Sequence, residues 1–216
     1  MIIENFKRRL DVLKRNGMHI QYVLDIGAYR GDFTDTLRSV WPSALVWQIE
    51  ADERQAPYLS NTAIFTLLGN RKQTVDFYTL DGDKITTGSS IFIEQTQHYT
   101  VDSTLVVKKE METLDNLYNI HNFYGQWNKH GLVKIDTQGS ELLILDGATE
   151  FLEKKQPRFM LLECSIQEYN RGAPKINTVV DYMYKLDYAI KDVFDLSYDG
   201  SGQLLQTDIL FERLEA

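Results

Sequence analysis

The chain has 216 residues, 43% of them hydrophobic and 25% charged, which is the composition of an ordinary globular domain with a sizeable core. A formal net charge of −8 argues against nonspecific nucleic-acid binding, which needs a basic surface. The single cysteine, Cys164, excludes an intrachain disulfide, and no apolar run has the roughly 18–20 residues of a membrane-spanning helix. Because no secretory leader is visible, the expected location is the cytoplasm.

In the first half of the chain, helical and strand patterns alternate. An amphipathic helix is expected within residues 1–17, where apolar side chains recur at helical spacing. The elements that follow are a strand over residues 23–26, a helix from Phe33 to Val40, a strand from Ala44 to Ile49, a helix from Arg54 to Ser60 and a strand from Ala63 to Leu68. This β-α-β-α-β order predicts a parallel sheet with right-handed crossovers.

The middle of the chain departs from that order, and the second half returns to it. Strand patterns over Gln73–Leu80 and Thr104–Lys108 flank a polar, turn-rich stretch, residues 81–103, which we interpret as a lid or substrate loop. The later elements are strands over 132–135 and 159–162, helices over 140–145, 149–155 and 176–186, and a hairpin of strands over 188–194 and 204–211. The hairpin predicts that the last strand is antiparallel, and we expect a single domain over residues 1–216.

The segment from Val23 to Gly31 predicts a strand that ends in a glycine turn and continues into a helix. In an open α/β sheet such a turn faces the ligand crevice, and it indicates a nucleotide-like cofactor. The dinucleotide fingerprint requires G-x-G-x-x-G, but here Gly27 and Gly31 enclose Ala28, Tyr29 and Arg30. The missing G-x-G makes a nicotinamide-dependent oxidoreductase the least favoured interpretation.

S-adenosylmethionine fits this turn better, because it carries no phosphate. It needs carboxylates for its amino group and its ribose hydroxyls, together with a backbone that passes close to its methionine. Asp25 and Gly27 suit the methionine end, and Glu50 ends the second strand, where an acidic residue accepts hydrogen bonds from ribose hydroxyls. The alternative is that Glu50 is only a surface residue after a strand.

Several motifs in chain order resemble the FkbM family of S-adenosylmethionine-dependent methyltransferases. The first is Val23–Gly31 followed by Ile49–Asp52, and the more specific second is the K-I-D-x-x-G-x-E…L-x-G-A pattern of Lys134–Glu141 and Leu145–Ala148. Weaker matches are Gly88-Ser89-Ser90, Thr113-Leu114-Asp115, Leu162-Glu163 and Gln206–Phe211. Together the motifs cover about residues 22–212, nearly the whole chain.

The resemblance implies an α/β fold of the class I methyltransferase (Rossmann-like) type. Such a fold has a seven-stranded, mostly parallel sheet with an antiparallel last strand and helices on both faces. It also implies methylation of a hydroxyl oxygen on a sugar, glycan or polyketide-like acceptor. The residues expected to bind the cofactor are Asp25, Gly27, Ala28, Tyr29, Gly31, Glu50, Ala51, Asp52, Gly69 and Asp136. Two positions depart from the family pattern, since Tyr29 stands where asparagine is commoner and Ala51 where proline is usual.

Methyl transfer to a hydroxyl requires alignment of the reacting atoms and a base that takes the hydroxyl proton. The candidate catalytic residues are Asp136 and Glu163 at strand ends and Glu141 in the following helix. Asp136 could instead cap that helix, and Glu141 could favour the helix dipole. The carboxylate spacing matches no recognisable metal site, so we assign no metal ligands, although a divalent ion stays an alternative. His98, in the loop, is a further candidate base if the loop closes over the acceptor.

The leading hypothesis is therefore an S-adenosylmethionine-dependent O-methyltransferase that acts on a small-molecule or glycan acceptor. The alternative is a non-catalytic binding or scaffold domain that has kept the methyltransferase fold. We expect neither nucleic acid nor a membrane as a partner. The sequence does not identify the acceptor or the oligomeric state.

Overall fold

The computed structural model describes residues 3–80, 87–95, 99–100 and 102–214. The strands are β1 (Tyr22–Ile26), β2 (Leu45–Glu50), β3 (Ile64–Phe65), β4 (Leu67–Leu68), β5 (Gln73–Leu80), β6 (Thr104–Glu112), β7 (Gly131–Ile135), β8 (Phe159–Ser165), β9 (Tyr188–Tyr198) and β10 (Leu204–Arg213). The helices are α1 (Ile3–Arg15), α2 (Asp32–Val40), α3 (Leu114–His121), α4 (Trp127–His130), α5 (Glu141–Asp146), α6 (Thr149–Lys155) and α7 (Ile176–Lys185), with a 3-10 helix over Glu53–Tyr58.

Seven strands form the main sheet, in the order β3-β2-β1-β7-β8-β10-β9. Strand β1 pairs in parallel with both β2 and β7, and β7 pairs in parallel with β8. The last strand, β10, lies between β8 and β9 and is antiparallel to both. The predicted class I methyltransferase fold is confirmed, including its antiparallel last strand.

Helices cover both faces of the main sheet, because successive side chains of each strand point to opposite faces. On β1, Leu24 and Ile26 belong to a buried cluster that α3, α5, α6 and α7 also supply. Val23 points the other way, into a second cluster with Phe6 of α1 and Leu37 of α2. Asp25 shares this second face with Val23, so its side chain points toward α2.

The third predicted strand, residues 63–68, is divided between two sheets. Its first part, β3, extends the main sheet beside β2, and its second part, β4, pairs with β6 in a three-stranded sheet of order β4-β6-β5. The Thr66 N–H donates to the Glu50 carbonyl oxygen between the two parts. Leu67, Phe77 and Met111 form a small buried cluster under the second sheet.

Several element ends differ from the prediction. Strand β8 continues to Ser165, so Glu163 lies inside it rather than at its end. The segment predicted as a helix from Arg54 to Ser60 is a 3-10 helix containing Pro57, whose missing N–H does not suit a regular α-helix. The single-turn helix α4 was not predicted from the sequence.

Candidate active site

A cavity of about 340 Å³ opens at the carboxyl ends of β1, β2, β7 and β8. This is the edge at which open parallel sheets hold their ligands. The residues around it include the following predicted site residues: Gly27, Tyr29, Glu50, Ala51, Asp136 and Glu163. The structure thus brings together groups from both halves of the chain.

At Gly27, the first residue of the turn after β1, there is no room for a side chain. Gly27 has a φ of +72°, and a Cβ there would lie 1.9 Å from the carbonyl oxygen of Asp136. Its N–H donates to the Ile49 carbonyl oxygen at 2.9 Å, and its own carbonyl oxygen accepts from Lys134 Nζ at 2.7 Å. The turn is therefore fastened to β2 and β7, with its backbone against the cavity.

Tyr29, inside the turn, has a φ of 48°. Asparagine adopts this left-handed backbone more readily than most residues, which gives a physical reason for asparagine as the commoner residue there. The Tyr29 N–H donates to Glu50 Oε2 at 2.7 Å, and the Arg30 guanidinium lies 5.3 Å from the Tyr29 ring centroid. The Tyr29 hydroxyl is buried and finds no hydrogen-bond partner in the part of the chain that the structure describes.

Glu50 ends β2 and is only 9% exposed. Its Oε1 accepts from the Asp52 N–H at 2.8 Å, while Oε2 accepts from Tyr29. Burial raises the pKa of Glu50, and the two N–H donors oppose that rise. Since an ionised carboxylate has about four acceptor sites, Glu50 retains the capacity to bind two further hydroxyl donors.

The two residues after Glu50, Ala51 and Asp52, contact basic side chains of the protein. The Ala51 carbonyl oxygen accepts from Lys109 Nζ at 2.5 Å. Asp52 begins the 3-10 helix, and its Oδ2 lies 2.7 Å from Arg54 Nη2. Hydrogen bonds and charge from Arg54 lower the pKa of Asp52 against the opposing effect of burial, which is the largest single influence. Asp52 does not line the cavity.

Asp25 is fully buried and does not line the cavity. Its Oδ2 accepts from the Thr34 hydroxyl of α2 at 2.6 Å, and its Oδ1 lies 3.4 Å from Lys134 Nζ. The same ammonium lies 3.4 Å from Asp136 Oδ2. Asp25 therefore supports the site from behind, through Lys134, rather than contributing to its wall.

Lys134 links three parts of the site. Its side chain is 7% exposed, and it contacts Asp25, Asp136 and the Gly27 carbonyl oxygen. Burial alone would lower the pKa of Lys134, but the neighbouring carboxylates Asp136 and Asp25 raise it above its usual value. The ammonium is consequently protonated at all physiological pH values.

Asp136 and Glu163 stand at the opposite end of the cavity from Glu50. The Asp136 side chain is 33% exposed, and its Oδ1 accepts from Gln138 Nε2 at 3.2 Å. Glu163 accepts from Gln138 Nε2 at 2.7 Å and from Gln206 Nε2 at 2.6 Å. Burial, together with the charges of Asp136 and Asp208, raises the pKa of Glu163 well above its usual range.

Gln138 and Gln206 both line the cavity but were not among the predicted site residues. Gln138 stands at an unspecified position of the K-I-D-x-x-G-x-E pattern, and Gln206 opens one of the weaker motifs. Their place within these motifs is the only feature of the sequence that could have indicated that they belong to the site. Their roles depend on strand pairing, which brings β10 beside β8.

Glu141 is 4% exposed and does not line the cavity. Its Oε1 accepts from the N–H groups of Thr137 at 2.9 Å and Gly139 at 3.1 Å. These contacts stabilise the turn between β7 and α5, where Gln138 has a φ of 58° and Gly139 one of 106°. The structure thus holds Glu141 below the cavity, near the start of its helix.

Three other predicted cofactor residues, Ala28, Gly31 and Gly69, do not line the cavity. Ala28 donates its N–H to the Ile49 carbonyl oxygen at 3.1 Å, and Gly31, with a φ of 84°, precedes α2. Gly69 lies against Met111, whose Sδ would be 2.2 Å from an added Cβ.

Part of the predicted substrate loop forms a wall of the cavity. Ser90 pairs its backbone with Tyr78 of β5 and donates its hydroxyl to the Gln138 carbonyl oxygen at 2.9 Å. Gly88, Ser89 and Ser90 all line the cavity. His98 and residues 81–86 lie outside the described residues.

Two further observations concern the described residues alone. No group of three or more His, Cys, Asp or Glu side chains among them has the geometry of a metal site. None of the helices described is long and apolar enough to cross a membrane.

The fold and the cavity at its carboxyl edge define a methyltransferase of class I. The model of the methyltransferase FkbM domain family matches residues 25–190, and the chain belongs to this family. Family membership confirms the predicted enzyme class, a methyltransferase.

Solved structures share the fold. Methyltransferase FkbM from Methylobacillus flagellatus KT is 16% identical with a TM-score of 0.51, over 88% of this chain and 43% of that chain. Magnesium protoporphyrin IX methyltransferase from Synechocystis PCC 6803, crystallised with bound S-adenosylmethionine, is 9% identical with a TM-score of 0.50, over 98% of this chain and 78% of that chain. This chain therefore spans less than half of the Methylobacillus chain. No curated protein shows significant sequence similarity to it.

Proposed function

We propose that this protein is an S-adenosylmethionine-dependent O-methyltransferase that acts on a hydroxyl group of a sugar, glycan or polyketide-like metabolite. The observation that carries the proposal is the cavity with Glu50 at one end, Asp136 and Glu163 at the other, and the Gly27 turn between them. These are the positions at which a methyltransferase of this fold needs a ribose-binding acid, a close backbone and a transfer site.

The residues present fit the cofactor. When bound, S-adenosylmethionine supplies an electrophilic methyl group on a sulfonium. Glu50 accepts hydrogen bonds from the two ribose hydroxyls with the oxygen lone pairs that Tyr29 and Asp52 leave free. Gly27, which has no side chain, gives the methionine part access to the backbone of the turn. Asp136 provides a partly exposed carboxylate at the methionine end.

Two carboxylates are available to take the proton of the acceptor hydroxyl. The pKa of Glu163 is raised by burial and by the charges of Asp136 and Asp208, which makes its carboxylate a stronger base than a free glutamate once it is ionised. The amides of Gln138 and Gln206 fix its two oxygens. We assign the role of base to Glu163 and the role of orienting the acceptor to Asp136, since orientation supplies much of the rate of such a displacement.

Methyl transfer can be measured directly with isotopically labelled S-adenosylmethionine and a panel of polyhydroxylated acceptors, with mass spectrometry of the products. We expect a labelled methyl group on an acceptor oxygen and a loss of turnover of at least about 100-fold in Glu163→Gln, the scale of general-base catalysis. A protein that binds the cofactor but transfers no methyl group to any member of a broad panel would instead be the scaffold domain considered above.

A further inference from the structure

The end of the cavity beside Glu163 offers a ligand hydrogen-bond acceptors rather than donors. The NH2 groups of Gln138 and Gln206 both face Glu163, whose two oxygens accept from them. Gln138 uses both of its N–H groups, toward Glu163 and Asp136, and Gln206 uses one of its two toward Glu163. The Oε1 of Gln206 is buried and has no hydrogen-bond partner among the residues that the structure describes.

Tyr169 adds to this pattern from the segment after β8. Its hydroxyl donates to Glu94 Oε1 at 3.2 Å, and it lines the cavity beside Glu163 and Gln206. Because the hydroxyl proton is used toward Glu94, what the Tyr169 oxygen can still offer is a lone pair. A ligand that satisfies this end of the cavity must consequently carry donors of its own.

The charged groups around Glu163 also favour a ligand that carries hydrogen-bond donors. Glu163 of β8 and Asp208 of β10 stand directly opposite each other across an antiparallel pair, where two like charges are destabilising. The buried cation of this region, Lys134, is already paired with Asp25 and Asp136. Among the cavity-lining residues that the structure describes there is no lysine, arginine or histidine.

The single net positive charge of bound S-adenosylmethionine does not balance these groups. Glu50, Asp136 and Glu163 line the cavity, and Asp208 lies behind it. An anionic acceptor would oppose the ionisation of these carboxyl groups further, whereas an ammonium group would favour their ionisation and would also donate to Glu163 and Gln206.

We propose that the acceptor carries a protonated amine, which binds at Gln206 and at one oxygen of Glu163, while the other oxygen of Glu163 faces the hydroxyl that is methylated. The acceptor is then an amine-bearing polyol, such as an amino sugar, rather than a phosphorylated or carboxylated one. This inference rests on the proposed function, because it concerns the acceptor half of the same cavity.

Three hexoses that share one ring framework test the proposal. Calorimetry is performed on protein saturated with S-adenosylhomocysteine, the unreactive product, using glucosamine, glucose and glucose 6-phosphate as ligands. We expect glucosamine to bind about tenfold more tightly than glucose, the scale of one charge-assisted hydrogen bond, and glucose 6-phosphate to bind more weakly than glucose. Because this comparison uses only the wild-type protein, its result does not depend on whether a variant folds.

Glu163→Gln removes the charge with little change in shape and is expected to abolish the preference for glucosamine. Glu153→Gln on the exposed side of α6 is the matched control and is expected to retain it. The proposal is overturned if glucosamine binds no better than glucose, if the phosphate binds best, or if none of the three binds at tens of millimolar. A failure of S-adenosylhomocysteine itself to bind would instead contradict the proposed function.

Discussion

At the scale of single residues, Gly27 is the position in the site where we expect a substitution to lower the stability of the fold most directly. Replacing it with alanine places a Cβ 1.9 Å from the Asp136 carbonyl oxygen, at a φ of +72°. Because both the contact and the backbone conformation oppose the side chain, we expect Gly27→Ala to lose about 2–4 kcal/mol in the free energy of unfolding. Urea denaturation measures the loss.

The matched control for this change is Gly200→Ala, in the β9–β10 turn. An added Cβ at Gly200 meets nothing within 4 Å, and its φ is not in the left-handed region. We expect a change below about 0.5 kcal/mol for this variant. Equal effects of the two substitutions would show that the close approach at Gly27 is not what makes the glycine necessary.

Lys134 gives a second prediction at this scale. Lys134→Met leaves Asp25 buried without its cation, and we expect a loss of about 3–5 kcal/mol. The double variant Lys134→Met/Asp25→Asn removes the unpaired charge as well, so we expect it to recover part of that loss. A double-mutant cycle by chemical denaturation measures the coupling, and strict additivity of the two changes would contradict the pairing seen in the structure.

The sequence indicates which residues belong to the site better than it indicates how they act. Gly27, Glu50 and Asp136 line the cavity, since each follows or ends a parallel strand. Asp25 and Glu141 do not, because their positions depend on details that no motif states. Asp25 follows the alternation of β1 toward α2, and Glu141 turns back to bind N–H groups of its own turn.

At the scale of elements, the Thr113-Leu114-Asp115 motif joins two helices. Asp115 at the start of α3 accepts from the N–H groups of Glu150 at 2.9 Å and Phe151 at 2.8 Å, in the first turn of α6. The residue before α6, Ala148, has no side chain that could cap it. Asp115 therefore supplies the missing cap from a neighbouring helix.

We expect Asp115→Ala to lose about 1–2 kcal/mol in unfolding free energy, because two N–H groups of α6 lose their acceptor. Asp115→Asn keeps one side-chain oxygen and is expected to lose less. Asp181→Ala, on the exposed side of α7, is the control and is expected to be close to neutral. Thermal and urea unfolding compare the three, and no difference between the Asp115 and Asp181 variants would contradict the capping role.

The elements that the sequence predicted well are those with a clear period. The α6 bounds and the β5 bounds agree with the prediction because their apolar spacing is regular. The division of residues 63–68 between two sheets was not predicted, since a single apolar run carries no sign of a change of partner. Which strand β4 meets is decided by β6, more than thirty residues later.

At the scale of the whole molecule, buried carboxyls set how stability depends on pH. Burial raises the pKa of Glu50, Glu141, Glu163 and Asp208, with neighbouring carboxylates contributing to all four. The folded state therefore binds more protons than the unfolded state between the ordinary carboxyl pKa and the raised values. The free energy of unfolding must fall as pH rises through that interval.

We expect a higher Tm near pH 5 than near pH 8, by several degrees, in calorimetric scans at constant ionic strength. Glu163→Gln cannot titrate, so it is expected to flatten the dependence, while Glu153→Gln is not. A Tm that rises steadily from pH 5 to pH 8 would contradict the raised pKa values.

Activity should show the opposite trend to stability, because Glu163 must be ionised to act as a base.

The central claim is that Glu50 anchors the ribose of S-adenosylmethionine in this cavity. Titration calorimetry with S-adenosylhomocysteine tests it in the wild type, in Glu50→Ala and in Glu53→Ala, whose side chain is exposed just beyond the end of β2. We expect micromolar binding by the wild type and the Glu53 variant, and affinity at least about 30-fold lower for Glu50→Ala, because two charge-assisted hydrogen bonds are lost. Equal affinity in all three proteins, or binding of NAD in place of S-adenosylhomocysteine, would contradict the account.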